Sequence, residues 1–403
     1  MTRHPEPSTR RPPKVPRPDP VPRVPGPLDE LSTTEALRWW QGAGTMPHVR
    51  AEPEGQAVYT FCWQDGEAER VLLWANRLTD ETDLPATMMT RVVDTDLWHA
   101  SFRLPTDWRA SYCFLADRPG EESSWWGERD QSALRRALDR GEVDPRNPVW
   151  SHNRAGVRQS VAEGPDAASQ PWRERRADVD RGTVTRHQVA GRDVWLHDPA
   201  GHAVTEELAL LVVLDGEVWL DQQDLPTTLD NLWSDAAAPV HRTVFVSSGG
   251  VDRRWSELGM GDAGVALVVE EVLPWVRTAR AVLPGPGAVT VSGQSLGGLA
   301  ALRCGLLAPG SVGRVASQSA STWQDDLASA IEAYATDPPS EPLRIHLSHG
   351  EHEWVLVPGH DGLASRLEAA GVRVERAFHC GGHDYAWWCG ALPDALVWLS
   401  RSS

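Results

Sequence analysis

Residues 288–308 constrain this chain more than any other stretch. They read Ala-Val-Thr-Val-Ser-Gly-Gln-Ser-Leu-Gly-Gly and then Leu-Ala-Ala-Leu-Arg-Cys-Gly-Leu-Leu-Ala. The apolar run Ala288–Val291 predicts a short buried strand. Leu299, Leu302 and Leu306 then recur at helical spacing until Pro309-Gly310 stops the helix. Between strand and helix lies Gly293-Gln294-Ser295-Leu296-Gly297, a G-x-S-x-G. So sharp a turn lifts the serine hydroxyl clear of a sheet, and glycines flank it because side chains there would collide. Ser295 is the expected nucleophile.

The second half of the chain supplies a sheet for such a turn. From about Gly182, strand patterns at 194–197, 208–214, 243–246, 314–317, 343–347 and 372–377 alternate with helical patterns at 227–237, 263–282, 326–335 and 362–370. Alternation with continuous Val/Leu strands predicts a mostly parallel sheet flanked by helices, an α/β-hydrolase core over 182–403. Residues 29–150 have a β texture instead, with strand patterns at 55–65, 70–78, 96–104 and 110–116 and one short helix at 130–140. Trp98, Ala100, Phe102 and Leu104 share one face there, and the run of short strands predicts an all-β sandwich. The polar stretch 151–181 reads as a linker, and the Pro/Arg-rich residues 1–28 as a disordered tail.

Composition enters as a set of exclusions. A formal net charge of −17 argues against a nucleic-acid binder and against attachment to an anionic membrane. It leaves room for an anionic ligand held by local arginines. No apolar run reaches membrane-spanning length, and the N-terminus lacks the apolar core of a secretory signal. Five scattered cysteines (Cys62, Cys113, Cys304, Cys380 and Cys389) then read as buried thiols of a cytoplasmic protein.

A serine hydroxyl needs a base, and the base needs a third group to orient it. In this architecture the order is serine, acid, histidine, each after a strand. Residues 379–388, His-Cys-Gly-Gly-His-Asp-Tyr-Ala-Trp-Trp, follow the last strand pattern, and Gly381-Gly382 permit a tight turn that brings His383 back over the sheet. His383 is the expected base, while Asp384, its neighbour in sequence, points elsewhere. The acid should follow the strand at 343–347, where Ser348-His349-Gly350-Glu351-His352-Glu353-Trp354 offers both Glu351 and Glu353. The same loop supports a rival, since His349, His352 and Glu353 have spacing that a metal accepts, but no further donor completes a set. The oxyanion needs two backbone donors. Leu296 N–H, at the helix N-terminus, is one, and Glu217 N–H after the strand at 208–214 is the other.

Several blocks together resemble the enterochelin (enterobactin) esterase family, the ferric-catecholate siderophore hydrolases. They are Val-Val-Leu-Asp-Gly-Glu-Val-Trp (212–219), Arg-Trp-Ser-Glu-Leu (254–258), Gly-Gln-Ser-Leu-Gly-Gly-Leu-Ala (293–300), Ser-Gln-Ser-Ala-Ser-Thr-Trp (317–323) and Gly-Gly-His-Asp (381–384). The first half contributes Trp39-Trp40-Gln41, Thr95-Asp96-Leu97-Trp98-His99, Trp108–Phe114 and Asp144-Pro145-Arg146-Asn147-Pro148. The resemblance implies a cytoplasmic serine esterase, preceded by an immunoglobulin-like sandwich, that cuts the ester (trilactone) backbone of a ferric siderophore so that iron is released. It places Ser295 and His383 on the family's nucleophile and base, and 215–217 on its oxyanion loop. Gly350 and Glu353 fit the family's acid loop, which favours Glu353 over Glu351. Ser348 and Trp354 depart from that loop, which leaves a Ser-His dyad as the alternative.

A tris-catecholate iron complex is anionic and faced with aromatic rings. Arg254 (or its neighbour Arg253) would then meet charge, and Trp219, Trp255, Trp323 and Trp387, drawn from 20 tryptophans, would meet ring faces. A wall for so bulky a substrate is expected from the first domain near Trp125-Trp126 and Arg135-Arg136. No cofactor is implied, since iron enters only with the substrate, and the chain is expected to be a monomer or weak oligomer. The competing readings are a serine esterase or acyltransferase acting on another ester, and a siderophore-binding protein without turnover.

Overall fold

The computed structural model describes residues 15–120, 125, 131–259 and 261–401, with 131–133 and 135 described by backbone alone. It divides by contact into two units. The first comprises Val15–Ser169 together with His379–Trp387, and the second comprises Gln170–Phe378 and the chain from Trp388 onward.

The first unit holds eight strands: β1 (His48–Glu52), β2 (Gln56–Gln64), β3 (Arg70–Ala75), β4 (Thr90–Arg91), β5 (Leu97–Pro105), β6 (Arg109–Asp117), β7 (Trp150–His152) and β8 (Arg158–Glu163). They form two four-stranded sheets, ordered β1-β2-β5-β4 and β3-β6-β8-β7. All the pairings are antiparallel. Alternate residues of both sheets meet in one core: Tyr59, Phe61 and Trp63 of β2, Trp98, Ala100 and Phe102 of β5, Val71 and Leu73 of β3, Tyr112 and Phe114 of β6. Aromatic rings lock the two layers edge to face, with Phe61 and Tyr112 centred 4.9 Å apart.

Four expectations for this half are corrected. It is not all β: besides the helix expected at 130–140, present as α2 (Gln131–Leu138), it contains α1 (Thr33–Gly42). α1 begins after Ser32 in a Ser-x-x-Glu, and the Glu35 carboxylate accepts the Ser32 N–H at 3.0 Å. The linker is shorter than 151–181, since β7 and β8 occupy its first half. Residues 15–28 are ordered rather than a tail. β4 covers only His99 and Trp98 of β5, and residues 21–24 fill the open edge beyond. Val24 N–H donates to Ser101 O at 3.0 Å, and Arg103 N–H to Pro22 O at 2.9 Å. The rest of the expected tail, 1–14, lies outside the described residues. Trp125 is a core ring against Leu72, Leu115, Leu134 and Ala137 and cannot serve as a wall. Trp126 and the Arg135 side chain lie outside the described residues.

The second unit is built on one eight-stranded sheet: β9 (Thr183–Val189), β10 (Arg192–Asp198), β11 (Ala209–Leu214), β12 (His241–Val246), β13 (Val289–Gln294), β14 (Arg314–Gln318), β15 (Arg344–Gly350) and β16 (Arg373–His379). The order is β16-β15-β14-β13-β11-β12-β10-β9. β11 to β15 pair in parallel, while β9 and β10 add an antiparallel edge. Helices α3 (Gly216–Asp221), α4 (Leu225–Ser234), α5 (Val251–Leu258), α6 (Ala263–Ala266), α7 (Leu273–Ala279), α8 (Leu296–Leu307), α9 (Ala328–Thr336), α10 (Val357–Ala369) and α11 (Tyr385–Ser400) connect or follow them. Val212, Val291, Val315 and Ile345 point into the same cluster as Leu299, Leu302 and Leu306 of α8. Leu211, Val213, Phe245 and Ala316, on the opposite pleat, are equally buried, so the sheet is covered on both faces. The helix expected over 263–282 widens to a π-helix at Leu267–Val272, just ahead of Pro274, which has no N–H to give the ladder.

None of the five cysteines is in a disulfide, and all are buried. Burial pushes the thiols of Cys113 and Cys304 up to about 12, which leaves them inert at neutral pH. Burial also pushes the rings of His241 and His346 down to about 4 from an ordinary 6.5. Above 6.5 neither the folded nor the unfolded chain is protonated at these rings. Between 6.5 and 4 only the unfolded chain takes up the proton, so stability falls as acid is added. Urea unfolding at pH 5 should therefore show roughly 2 kcal/mol less stability per histidine than at pH 7.5. The double variant His241→Gln/His346→Gln should lose that part of the pH dependence.

Candidate active site

The turn between β13 and α8 holds Ser295 at φ 57, ψ −119, a region that side chains rarely enter. Its backbone is tied at both ends. Ser295 N–H donates to Gln318 O at 2.9 Å, while Ser295 O accepts from Leu299 N–H and Ser321 N–H, each at 3.1 Å. Gly293 is required because a Cβ there would lie 2.3 Å from the Gly297 carbonyl. Leu296 is the first residue of α8, so its N–H has no intrahelical acceptor. The Ser295 hydroxyl lies 3.2 Å from that of Ser321.

A second strained turn follows β11. Asp215 has φ 56 and ψ 38, and Gly216 behind it passes so close to β12 that a Cβ would sit 2.5 Å from the Phe245 and Val246 backbone. The Asp215 carboxylate receives a fork from Arg254, both bonds 2.7 Å long. It also takes the Gln294 amide at 3.3 Å, and Gln294 in turn accepts the Trp219 indole N–H at 2.8 Å. This buried network ties the residue before Ser295 to the residue before Gly216. Glu217 lies in the first turn of α3, and its carboxylate accepts the Ser248 N–H at 2.9 Å as well as the Ser248 hydroxyl.

Of the two candidate acids, Glu353 is wholly buried and Glu351 is exposed. Glu353 Oε1 accepts Gly350 N–H at 2.8 Å and the Ser319 hydroxyl at 2.5 Å. The Ser319 oxygen accepts the Trp388 indole N–H at 3.0 Å. Ser319 itself has φ 46, so the Ser317–Ser321 segment carries its own strained turn between the acid and Ser295. The rival metal set does not assemble. The His349 and His360 Nδ1 atoms face each other at 3.1 Å, and His360 Nε2 donates to Ala320 O at 2.8 Å. Among the described residues no group of three His, Cys, Asp or Glu side chains is placed to hold a metal.

His383 lies in the short connection between β16 and α11 and is half-buried. Its carbonyl accepts the Asn76 amide at 2.9 Å. The neighbouring Asp384 spends its carboxylate on backbone, accepting Ser111 N–H at 2.6 Å and Ala386 N–H at 3.0 Å. Burial pushes that carboxyl above its ordinary range, against the pull of those N–H donors.

The residues expected to bind substrate separate into two kinds. Arg254 is buried and forked onto Asp215, which makes it a support of the turn and not an open cation. Trp219 is fully buried, and Trp387 is buried beneath Arg109, with its indole N–H on Arg109 O. These two are core rings. Trp255 and Trp323 remain partly exposed and meet edge to face, 6.1 Å between centroids. Ser319, Ser321, Trp388 and His360 had no assigned role from sequence. The repeated serines at 317, 319 and 321 were the available signal, but nothing local says that one of them faces a carboxylate.

A doubly covered parallel sheet with a serine on a strained strand-to-helix turn defines an esterase-type α/β hydrolase. Residues 190–399 match the family described as Putative esterase, and residues 58–173 match the family described as Enterochelin esterase, N-terminal. The chain belongs to this esterase family and carries an enterochelin esterase N-terminal domain ahead of the hydrolase core. It is 28% identical to an iron(III) enterobactin esterase of Dickeya dadantii, covering 90% of this chain and 92% of that protein. It is 29% identical to an iron(III) salmochelin esterase of Escherichia coli O6:H1, over 85% of this chain and 87% of that one. Among solved structures it is similar to a ferric enterobactin esterase from Salmonella typhimurium, with a TM-score of 0.77, 28% identity and coverage of 90% and 98%. An enterobactin esterase from Shigella flexneri, solved in the presence of enterobactin, gives 0.75, 27%, 90% and 97%.

Removing one partner of a buried ion pair leaves the other charge without compensation. Arg254→Gln should cost about 3–5 kcal/mol in urea unfolding. Arg253→Gln, whose partner Glu257 lies one turn along the same partly exposed helix face, should cost less than about 1 kcal/mol.

Proposed function

We propose that this chain is a serine esterase that hydrolyses the ester backbone of a ferric catecholate siderophore. The observation that carries this reading is the Ser295 turn: a hydroxyl held at φ 57 at the N-terminus of α8, in a chain aligned over nine-tenths of its length with enterobactin esterases. Ser295 Oγ attacks the ester carbonyl as His383 takes its proton, and the Glu353 carboxylate balances the imidazolium that forms. The N–H groups of Leu296 and Glu217 receive the developing oxyanion. His383 then returns the proton to the departing alkoxide, and water releases the acyl group from Ser295 by the same steps.

A carboxylate buried this completely is charged only with strong donors at hand, which Gly350 and Ser319 supply on Oε1. That is the physical support for Glu353 over the exposed Glu351. Trp255 and Trp323 offer partly exposed ring faces to catecholate. In this mechanism the chain's own side chains and backbone N–H groups carry every step, so iron is cargo and no resident cofactor is required. We read the paired sheets of the first unit as an immunoglobulin-like sandwich, and place the protein in the cytoplasm as a monomer or weak oligomer. Among the described residues no helix is long and apolar enough to cross a membrane.

Incubation with a ferric trilactone siderophore should yield the linear trimer and dimer esters and then the free monomeric acylserine, read by mass as one added water per bond cut, with slower or absent turnover of an amide-linked analogue. Ser295→Ala should stay folded and lose at least about 1,000-fold in kcat. Glu353→Gln should lower kcat by about 100-fold or more, while Glu351→Gln stays within about twofold. Full activity in Ser295→Ala, or unchanged siderophore mass, rejects the assignment.

A further inference from the structure

The chain leaves the second unit after Phe378 and rejoins it at Trp388, and the nine residues between group with the first unit. We infer that the first unit positions the catalytic base: Asn76, Arg109 and the Ser111 backbone hold the loop that carries His383. This rests on the reading of His383 as the base.

The loop is anchored at each step. At its entry, Arg109 N–H donates to Cys380 O at 3.0 Å, and the Cys380 side chain is part of the sandwich core. At its centre, the Asn76 amide holds His383 O and the Ser111 N–H holds Asp384 Oδ2. At its exit, the Trp387 indole N–H donates to Arg109 O at 2.8 Å. The Arg109 guanidinium lies 4.6 Å from the centre of the Trp387 ring and is fixed from behind by Glu163 and Ala168 O, both at 2.7 Å. The His379 ring stacks on Trp387 at 4.7 Å. Gly381 and Gly382 are glycines by necessity, since a Cβ would lie 2.0 Å from Trp387 Nε1 or 2.3 Å from Arg77 Cγ.

One consequence is geometric. The carbonyl of His383 and the carboxylate of the next residue are both clamped, which fixes the backbone on either side of the imidazole. From His379 to Gly390, His383 is the single residue that is not buried. Beside it, the Cys380 side chain lies in the core of the first unit, the Asp384 carboxylate is on Ser111 N–H and the Trp387 indole is on Arg109 O. A general base gains most of its effect from position, and a displacement of about 1 Å costs roughly 100-fold. The sandwich residues thus act on the reaction through His383.

The test is a double-mutant cycle on the full chain, read with nitrophenyl acetate turnover and with the rate at which a nitrophenyl phosphonate labels Ser295. Asn76→Ala should lower kcat roughly 10- to 100-fold with KM within about threefold. In a His383→Ala background it should have no further effect, because its path of action is already gone. Asn76→Asp keeps the side-chain shape but removes the N–H donors, and should give the same loss if Asn76→Ala proves poorly folded. Equal losses in both backgrounds, or no loss beside an inactive His383→Ala, overturn the positioning role alone. An active His383→Ala overturns the assignment of the base, and the inference with it.

Discussion

The φ of +57 at Ser295 is the constraint on which the rest of the catalytic unit depends. A serine in that conformation costs on the order of 1–3 kcal/mol and persists only where its surroundings over-determine it. Here the surroundings are the Gln318 carbonyl, the Leu299 and Ser321 amides and the Gly293–Gly297 contact. β14 must lie beside β13 for Gln318 to reach, and α8 must start at once for Leu299 to close the turn. The parallel order of the sheet and the apolar face of α8 are the conditions under which the turn can exist.

Around that turn the protein buries charge. Asp215 and Glu353 are both removed from water, and each is compensated in a different way. Asp215 has a full counter-ion in Arg254 and belongs to a closed network with Gln294 and Trp219. Such a network stabilises little by itself, but it joins two strained turns so that neither moves without the other. Glu353 accepts from the Ser319 hydroxyl and the Gly350 N–H on one oxygen, which fixes its plane.

The histidine loop applies the same economy to backbone. Clamping the carbonyl of His383 and the carboxylate of Asp384 directs the imidazole without touching it. The anchoring residues, Asn76, Arg109 and Ser111, lie some 270 to 310 positions earlier in the chain.

The sharp turn at Ser295 and the parallel sheet were legible in the sequence, because their signals are local: a G-x-S-x-G between an apolar strand and a leucine-spaced helix. The alternation of Trp98, Ala100 and Phe102 likewise put these three on one buried face of β5, since a strand's period of two is set by its backbone. Residue type alone misled at Arg254 and Trp219. A charge and a ring beside catalytic blocks suit a ligand equally well in sequence, and only packing revealed that one holds Asp215 and the other Gln294. Glu351 and Glu353, two residues apart, differ in burial, and Glu353 accepts a hydroxyl from Ser319, 34 positions away. What the sequence determined by itself were the features encoded within one strand, turn or helix. What tertiary structure decided was which polar groups meet, because hydrogen-bond partners distant in the chain leave no periodicity to read.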